Sequence, residues 1–255
     1  MSGPPPRSIL ITGASGGIGR ALARLYAAPG VRLAISGRNR QRLQDVALGC
    51  RDKGAEVSAE CVDVADMAAM GDWIARQDAA RPLDLVIANA GISGGSGGGG
   101  EDAGQTRNVF AVNLAGVLNT VLPVLRPMRQ RGRGQIAIIS SIAGYRGFPM
   151  APAYSASKAA VKAWGEGLRG WLADGGVRVS VVCPGYVRTN MTANNRFPMP
   201  FLMDPGKAAK IIQKNLAKNK GRITFPWPMA FGVWLSVVLP AGLVETILKR
   251  LPKKD

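Results

Sequence analysis

A glycine-rich turn, flanked by an apolar run and a helical pattern, constrains this chain more than any other stretch. The apolar run at residues 9–11 predicts a buried strand, and residues 20–26 have the apolar periodicity of a helix. The turn between them reads Thr-Gly-Ala-Ser-Gly-Gly-Ile-Gly over residues 12–19. Glycines let the backbone turn tightly and approach a pyrophosphate, which the N-terminus of the helix stabilises. The stretch therefore predicts a dinucleotide-binding unit.

Strand and helix patterns alternate along most of the chain. Further strands are predicted at residues 31–36, 56–62, 83–88, 135–141, 177–182 and 222–226, with helices between them, including a long apolar helix that starts at Val109. This alternation predicts an α/β fold of the Rossmann type: a doubly wound, mostly parallel sheet with helices on both faces. We expect one cofactor-binding catalytic domain over residues 1–225, which the tail 226–255 extends.

Two residue types limit the chemistry. The chain has no histidine, which excludes Ser-His-Asp and Cys-His hydrolases and histidine-ligated zinc. Its three cysteines form no CxxC pair, so they are interpreted as reduced thiols of a cytoplasmic protein, and no metal site is predicted. The first residues lack the apolar run of a signal peptide.

The net charge of +17 raises the question of an anionic partner. The basic residues are spread along the chain, and no nucleic-acid-binding motif accompanies them. We therefore predict no nucleic-acid partner. Two interpretations stay open: a solvated basic surface, or attraction to an anionic cofactor, substrate or lipid headgroup.

The end of the second predicted strand bears on the choice of cofactor. An NAD site usually has a carboxylate about 20 residues after the glycines, where it binds the ribose 2′-hydroxyl. This strand ends in Gly37 and Arg38, without a carboxylate. An arginine there suits a 2′-phosphate, so we predict NADP(H). The alternative is that Arg38 is an ordinary charged residue opening the next helix.

A tyrosine and a lysine four residues apart suggest an acid–base pair. Tyr154 and Lys158 lie in a stretch of small residues and good helix formers, so they share a helix face. A nearby ammonium favours the phenolate. Two further polar residues have open interpretations. Asp63, at a strand end, either accepts a bond from an adenine amino group or caps a turn, and Asn113, within an apolar helix, bonds local backbone or holds a water.

The order and spacing of these motifs resemble the short-chain dehydrogenase/reductase family over roughly the first 190 residues. The single-domain alcohol/ketone branch fits best. The motifs that carry the resemblance are Thr12-Gly13-x-x-x-Gly17-x-Gly19, Asp63-Val64, Asn89-Ala90-Gly91, Asn113, Ser141, Tyr154-x-x-x-Lys158, and Pro184-Gly185 with Thr189.

The resemblance implies a role for each catalytic residue. Tyr154 exchanges a proton with the substrate oxygen, and Lys158 lowers the pKa of Tyr154 and bonds the nicotinamide ribose. Ser141 orients the carbonyl, and Asn113 helps hold a proton-relaying water. The implied cofactor-binding residues are Gly13, Ser15, Gly16, Gly17, Ile18, Gly19, Arg38, Asp63, Val64, Asn89, Ala90, Gly91, Tyr154, Lys158, Pro184, Gly185, Val187 and Thr189.

The expected function is hydride transfer between NADP(H) and a ketone or secondary alcohol. The resemblance also implies a homodimer or homotetramer. The rival is a non-catalytic NADP-binding or interaction protein that kept the fold. A binding role would not require Asn113, Ser141, Tyr154 and Lys158 together, which argues against this rival.

Two segments after Thr189 bear on the substrate. Residues 190–204 lie where the family has its substrate lid, and their methionines and phenylalanines suit a bulky apolar or lipid-like ligand or a lid that packs on its own core. Residues 226–244 carry no charge, and Lys249, Arg250, Lys253 and Lys254 follow. This tail either contacts the inner face of a membrane, walls the pocket, packs between subunits, or spans a bilayer.

Overall fold

The computed structural model describes residues 4–94, 101–149, 151–193, 198–240 and 242. Within these ranges the chain forms one seven-stranded parallel sheet in the order β3-β2-β1-β4-β5-β6-β7. The strands are β1 (Ser8–Ile11), β2 (Arg32–Ser36), β3 (Glu56–Glu60), β4 (Leu85–Ala88), β5 (Gly134–Ile139), β6 (Val177–Pro184) and β7 (Arg222–Phe225). The strand order reverses between β1 and β4, which opens a crevice at their carboxyl ends. The predicted Rossmann-type fold is confirmed.

Helices cover both faces of this sheet. They are α1 (Gly17–Tyr26), α2 (Arg40–Arg51), α3 (Met67–Ala80), α4 (Ala103–Phe110), α5 (Gly116–Gln130), α6 (Pro152–Trp171), α7 (Asn190–Ala193), α8 (Pro205–Ala217) and α9 (Trp227–Val238). A π-helical segment, Ala111–Ala115, joins α4 to α5, and short 3-10 turns occupy Ile142–Gly144 and Ala173–Gly175.

Two hydrophobic cores follow from the alternation of side chains along the strands. Ile9 and Ile11 of β1 pack into one core with α1, α2 and α8, whereas Leu10 packs into the other with α3, α5 and α6. Successive residues of a strand point to opposite faces, so a strand buried on both faces is apolar at most positions. This explains why the apolar runs were reliable predictors of strands.

The long apolar helix begins earlier than predicted. Its first turn is polar and starts at Ala103, where the Asp102 side chain accepts a hydrogen bond from the Gln105 backbone at 2.7 Å. The continuous stretch Ala103–Gln130 is long and apolar enough to cross a membrane, but half of its most apolar segment is buried inside the protein. It packs against α3 and α6 and is therefore a core helix.

Candidate active site

The glycine-rich turn is held against the end of β4 by close backbone packing. Gly13 has a φ of +66°, and a Cβ there would lie 2.8 Å from the Ala90 Cα. A side chain on Gly19 would overlap the Gly13 carbonyl. At Gly16, by contrast, a Cβ would meet nothing within 4 Å. The turn is therefore packed on its inner side and open on the side where a phosphate group would approach the backbone.

The turn opens into a large cleft that follows the carboxyl ends of the strands. The cleft has a volume of about 1360 Å³. It brings together most of the residues that the sequence predicts for cofactor and substrate: Gly13, Ser15, Gly16, Gly17, Ile18, Arg38, Asp63, Val64, Asn89, Ala90, Gly91, Ser141, Tyr154, Lys158, Pro184, Gly185, Val187 and Thr189. Two predicted residues, Gly19 and Asn113, are buried behind its walls instead.

Tyr154 and Lys158 lie on the cleft-facing side of α6, beside Ser141 from the end of β5. The Tyr154 phenol is hydrogen-bonded to the Ser141 side chain. Lys158 is 3% exposed, and its Nζ donates to the Ile139 carbonyl at 3.0 Å. The Nζ lies 5.8 Å from the centroid of the Tyr154 ring. The expected trio of tyrosine, lysine and serine therefore converges on one wall of the cleft.

The protonation of this pair departs from the expectation. Burial raises the pKa of Tyr154; the hydrogen bond with Ser141 lowers it in part, and Tyr186 raises it further. The net shift is opposite to the one that the family resemblance implies. Burial also lowers the pKa of Lys158 to about 8. The phenol is therefore a neutral proton donor, and Lys158 stays mostly protonated at neutral pH but loses its proton more readily than an exposed lysine.

Asn113 acts on the backbone rather than facing the cleft. Its Oδ1 accepts a hydrogen bond from the Ile92 backbone at 2.8 Å, and its Nδ2 donates to the Ile92 carbonyl at 2.9 Å and to Ser157 Oγ at 3.2 Å. The side chain bonds backbone, as one of the two interpretations expected, but its partner lies 21 residues away rather than in the same helix. Asn113 thereby ties the π-helical segment to the chain beyond β4 and to α6.

Asn89 and Asp63, which the resemblance places beside the adenosine, form side-chain hydrogen bonds with the backbone of the protein. The Asn89 Nδ2 donates to the carbonyls of Thr12 and Gly13, at 2.9 and 3.2 Å, so it fastens β4 to the glycine-rich turn. The Asp63 Oδ1 accepts from the Ala65 backbone at 3.0 Å and closes a turn. Both residues line the cleft. The amide of Asn89 is nevertheless directed at backbone, because the turn leaves two carbonyls without a helical or sheet partner.

The structure adds a second arginine next to Arg38. Arg38 precedes α2 and Arg42 lies in its first turn, and both residues line the cleft beyond Gly37. Gly37 packs against Ser15 so closely that a Cβ would lie 2.9 Å from the Ser15 hydroxyl. The four-residue spacing of the two arginines is visible in the sequence, but no local signal shows that both line one cleft.

Glu101, which is not among the predicted residues, supports the site from outside the cleft. Its carboxylate accepts hydrogen bonds from the backbone of Ala153 at 2.6 Å and of Tyr154 at 3.4 Å, at the N-terminus of α6. Residue Ala151, at the cap position, offers no side-chain bond. Glu101 therefore caps the helix that carries Tyr154 from 52 residues away in sequence. No local signal in the sequence predicts this contact.

The far end of the cleft is apolar. It is lined by Phe148, Pro149, Met191, Pro198, Pro200, Met229 and Val233. The predicted lid is pinned at its base, because Val187 pairs with Met203 and the buried Met203 side chain joins the core. Met203, at the base of the lid, therefore packs on the core, whereas Met191 lines the cleft, where it can contact a ligand. Phe197, part of the same prediction, lies outside the described residues, as does the basic end of the tail.

Comparisons with known proteins agree with this geometry. A family model for short chain dehydrogenases matches residues 7–199. An oxidoreductase of Myxococcus xanthus is 38% identical over 246 residues, which cover 96% of this chain and 97% of the relative.

Two solved structures extend the agreement to the fold. An NAD-bound short chain dehydrogenase from Mycobacterium paratuberculosis has a TM-score of 0.76 and 25% identity. An actinorhodin polyketide ketoreductase with NADPH has a TM-score of 0.76 and 26% identity. Each alignment covers 86% of this chain and 95% of the other. The chain therefore belongs to the short-chain dehydrogenase/reductase family, as its motifs predict.

Proposed function

We propose that this protein is an NADP(H)-dependent carbonyl reductase that acts on bulky, apolar ketones and the corresponding secondary alcohols. The observation that carries the proposal is the neutral Tyr154 phenol, hydrogen-bonded to Ser141 and facing a cleft that is polar at one end and apolar at the other. A phenol is protonated at neutral pH, and burial strengthens that preference, which suits donation of a proton to a carbonyl oxygen.

The residues along the cleft fit a nicotinamide dinucleotide. The open side of Gly16 leaves room for a pyrophosphate at the N-terminus of α1, and Lys158, a buried ammonium on the cleft wall, would hold the nicotinamide ribose. When bound, the nicotinamide supplies or accepts the hydride. The protein positions the carbonyl through Ser141 and moves one proton through Tyr154, while Asn113 and Glu101 hold the supporting backbone.

NADP(H) is the proposed cofactor because Arg38 and Arg42 flank the end of β2. One guanidinium just before α2 and another in its first turn, both lining the cleft, suit a 2′-phosphate, and Gly37 leaves no carboxylate to bind a ribose 2′-hydroxyl. Solved relatives include both an NAD-bound and an NADPH-bound protein. The preference therefore rests on these two arginines.

The apolar end of the cleft supports a bulky substrate. Methionine and phenylalanine side chains suit an irregular apolar ligand, and a polyketide ketoreductase is among the structural relatives. We further propose a cytoplasmic homodimer or homotetramer whose C-terminal tail contacts the inner face of a membrane.

The test of catalysis is NADPH oxidation across ketones graded by chain length. We expect turnover to increase with chain length, and Tyr154→Phe to lower kcat by two to four orders of magnitude while NADPH still binds. Tyr145→Phe is the matched control, because Tyr145 is also a partly buried tyrosine beside a lysine, with Lys162 Nζ 5.1 Å from its ring, but it does not line the cleft. Retained turnover in Tyr154→Phe would contradict the proposal, and NADPH binding without turnover of any ketone would favour the non-catalytic rival.

The test of cofactor choice is Arg38→Ala. We expect its KM for NADPH to rise by about tenfold or more, with little change for NADH, because the guanidinium binds only the additional phosphate. Arg40→Ala is the control, since Arg40 lies two residues further along the chain, at the start of α2, and does not line the cleft. Equal effects of Arg38→Ala on both cofactors would contradict the assignment.

A further inference from the structure

Helix α9 exposes an apolar stripe where a surface helix ordinarily carries polar residues. Trp227, Phe231, Trp234, Leu235 and Val238 are between 38% and 78% exposed. They recur at positions i, i+4, i+7, i+8 and i+11, so they lie on one face. We call these five residues the α9 stripe. Helix α9 contains no charged residue, so no charge interrupts the stripe.

The opposite face of α9 forms part of the cleft wall. Met229 and Val233 line it, and a Cβ on Gly185 would lie 2.9 Å from the Met229 sulfur. The Arg146 guanidinium donates to the Ser236 carbonyl at 3.1 Å and holds the C-terminal half of the helix. Packing against the enzyme therefore accounts for the inner face of α9 and leaves the stripe without a partner among the described residues.

The size of the stripe calls for a partner. A tryptophan or phenylalanine side chain carries about 150–250 Å² of surface, and the three aromatic residues of the stripe are each more than half exposed. Together they form a patch of several hundred Å², which monomeric proteins rarely leave in water without an interaction to serve. The 12 residues of α9 are too few to span a bilayer.

Charge identifies the partner. The chain carries a net charge of +17, and the sequence after α9 contains four lysine or arginine residues against two acidic ones. A second copy of the chain offers the stripe no opposite charge, whereas an anionic lipid surface attracts the basic residues beside it. Tryptophan side chains on an apolar helix face, followed by basic residues, suit the headgroup region of a bilayer.

We propose that the α9 stripe docks on a membrane containing anionic lipids and places the apolar end of the cleft at the lipid surface. The substrate class follows: carbonyl compounds dissolved in the bilayer, which enter the cleft past α9. The docking part stands on the stripe alone, whereas the substrate part rests on the proposed function.

Vesicle flotation tests the docking. The full-length protein is mixed with vesicles of phosphatidylcholine, with or without an anionic phospholipid. We expect flotation with the anionic vesicles, at least tenfold weaker binding for Phe231→Ser combined with Trp234→Ser, and further weakening in high salt. Trp171→Ser is the matched control, because Trp171 is also an exposed tryptophan, at 62%, but it lies on α6. We expect this control to float like the wild type.

Two outcomes would overturn the docking. One is wild-type protein that stays unbound with anionic vesicles. The other is a double variant that floats normally but has a smaller mass in solution, which would mean that a second copy covers the stripe.

Turnover separates this inference from the proposed function. With a long-chain ketone dissolved in the vesicles, we expect the double variant to lose at least tenfold in rate, and with a short, water-soluble ketone to match the wild type. Equal rates on the vesicle-borne ketone would overturn the entry route. Flotation without turnover of any ketone by the wild type would leave the docking supported and contradict the proposed function instead.

Discussion

Helices α6 and α9 violate opposite rules of burial, and each violation marks a part of the site. Helix α6 buries Ser155, Ser157 and Lys158, whereas α9 exposes Trp227 and Trp234. A buried polar group is costly unless it is partnered, and an exposed apolar surface is costly unless something covers it. The polar groups of α6 have partners within the chain. The partner of the apolar α9 stripe is proposed to lie outside the chain.

Replacing the buried Lys158 is expected to give the largest effect among the variants that test this comparison. Lowering its pKa from 10.5 to about 8 corresponds to about 3 kcal/mol lost from folding at neutral pH. We therefore expect the free energy of unfolding of Lys158→Met, measured in urea at pH 7, to exceed that of the wild type by roughly 2–3 kcal/mol. We expect its turnover to fall by at least two orders of magnitude.

The pH dependence of that difference has a definite sign. Below about pH 8 Lys158 is charged in both states, so the wild type pays the full cost. Between about pH 8 and 10.5 the unfolded lysine keeps its proton while the folded one loses it, so wild-type stability rises relative to the variant. A difference that stays constant over this range would contradict the burial of an ammonium.

The next test removes the partner that holds α6 from behind. Asn113→Ala leaves the Ile92 backbone and Ser157 without three hydrogen bonds. We expect the free energy of unfolding to fall by about 2 kcal/mol and kcat to fall as well, because the wall beside Lys158 loosens. Asn119→Ala is the control, since its amide also bonds backbone of another element, at Val64, but away from α6. Comparable loss of kcat in the control would assign the effect to general destabilisation.

A smaller effect is expected at the N-terminus of α6. Glu101→Gln keeps the shape of the cap and removes its charge, so we expect a loss of about 1 kcal/mol in stability and a few-fold loss in kcat. Asp102→Asn is the neighbouring control, because Asp102 caps α4 rather than α6. If both variants lower kcat equally, Glu101 does not position Tyr154.

The smallest effect is expected on the outer face of α9. Replacing Phe231 and Trp234 with serine should change the free energy of unfolding by less than about 0.5 kcal/mol, because neither residue is buried. Met229→Ser, on the inner face, should cost about 1 kcal/mol through lost packing on Gly185. Thermal or urea unfolding of the free protein distinguishes the two. A large loss from the outer pair would show that the chain itself needs the stripe.

The fold and much of the cleft were predictable because their signals are local. The β1–turn–α1 unit lies within residues 8–26, and Tyr154 and Lys158 are one helical turn apart. The predicted start of the apolar helix at Val109 shows the limit of such prediction. Apolar periodicity indicates the helix, but its first turn after Asp102 is polar and carries no apolar pattern.

The sequence by itself determined the parallel sheet, the glycine-rich turn and the chemical types gathered at the strand ends, since these depend on residues close together in the chain. Only the tertiary structure decided that Asn89 and Asn113 bond backbone, that Glu101 caps α6, and that burial raises the pKa of Tyr154. It also decided which side of α9 faces the cleft and which faces out. The physical reason is that hydrogen-bond partners and desolvation are set by groups distant in sequence, which packing alone brings together.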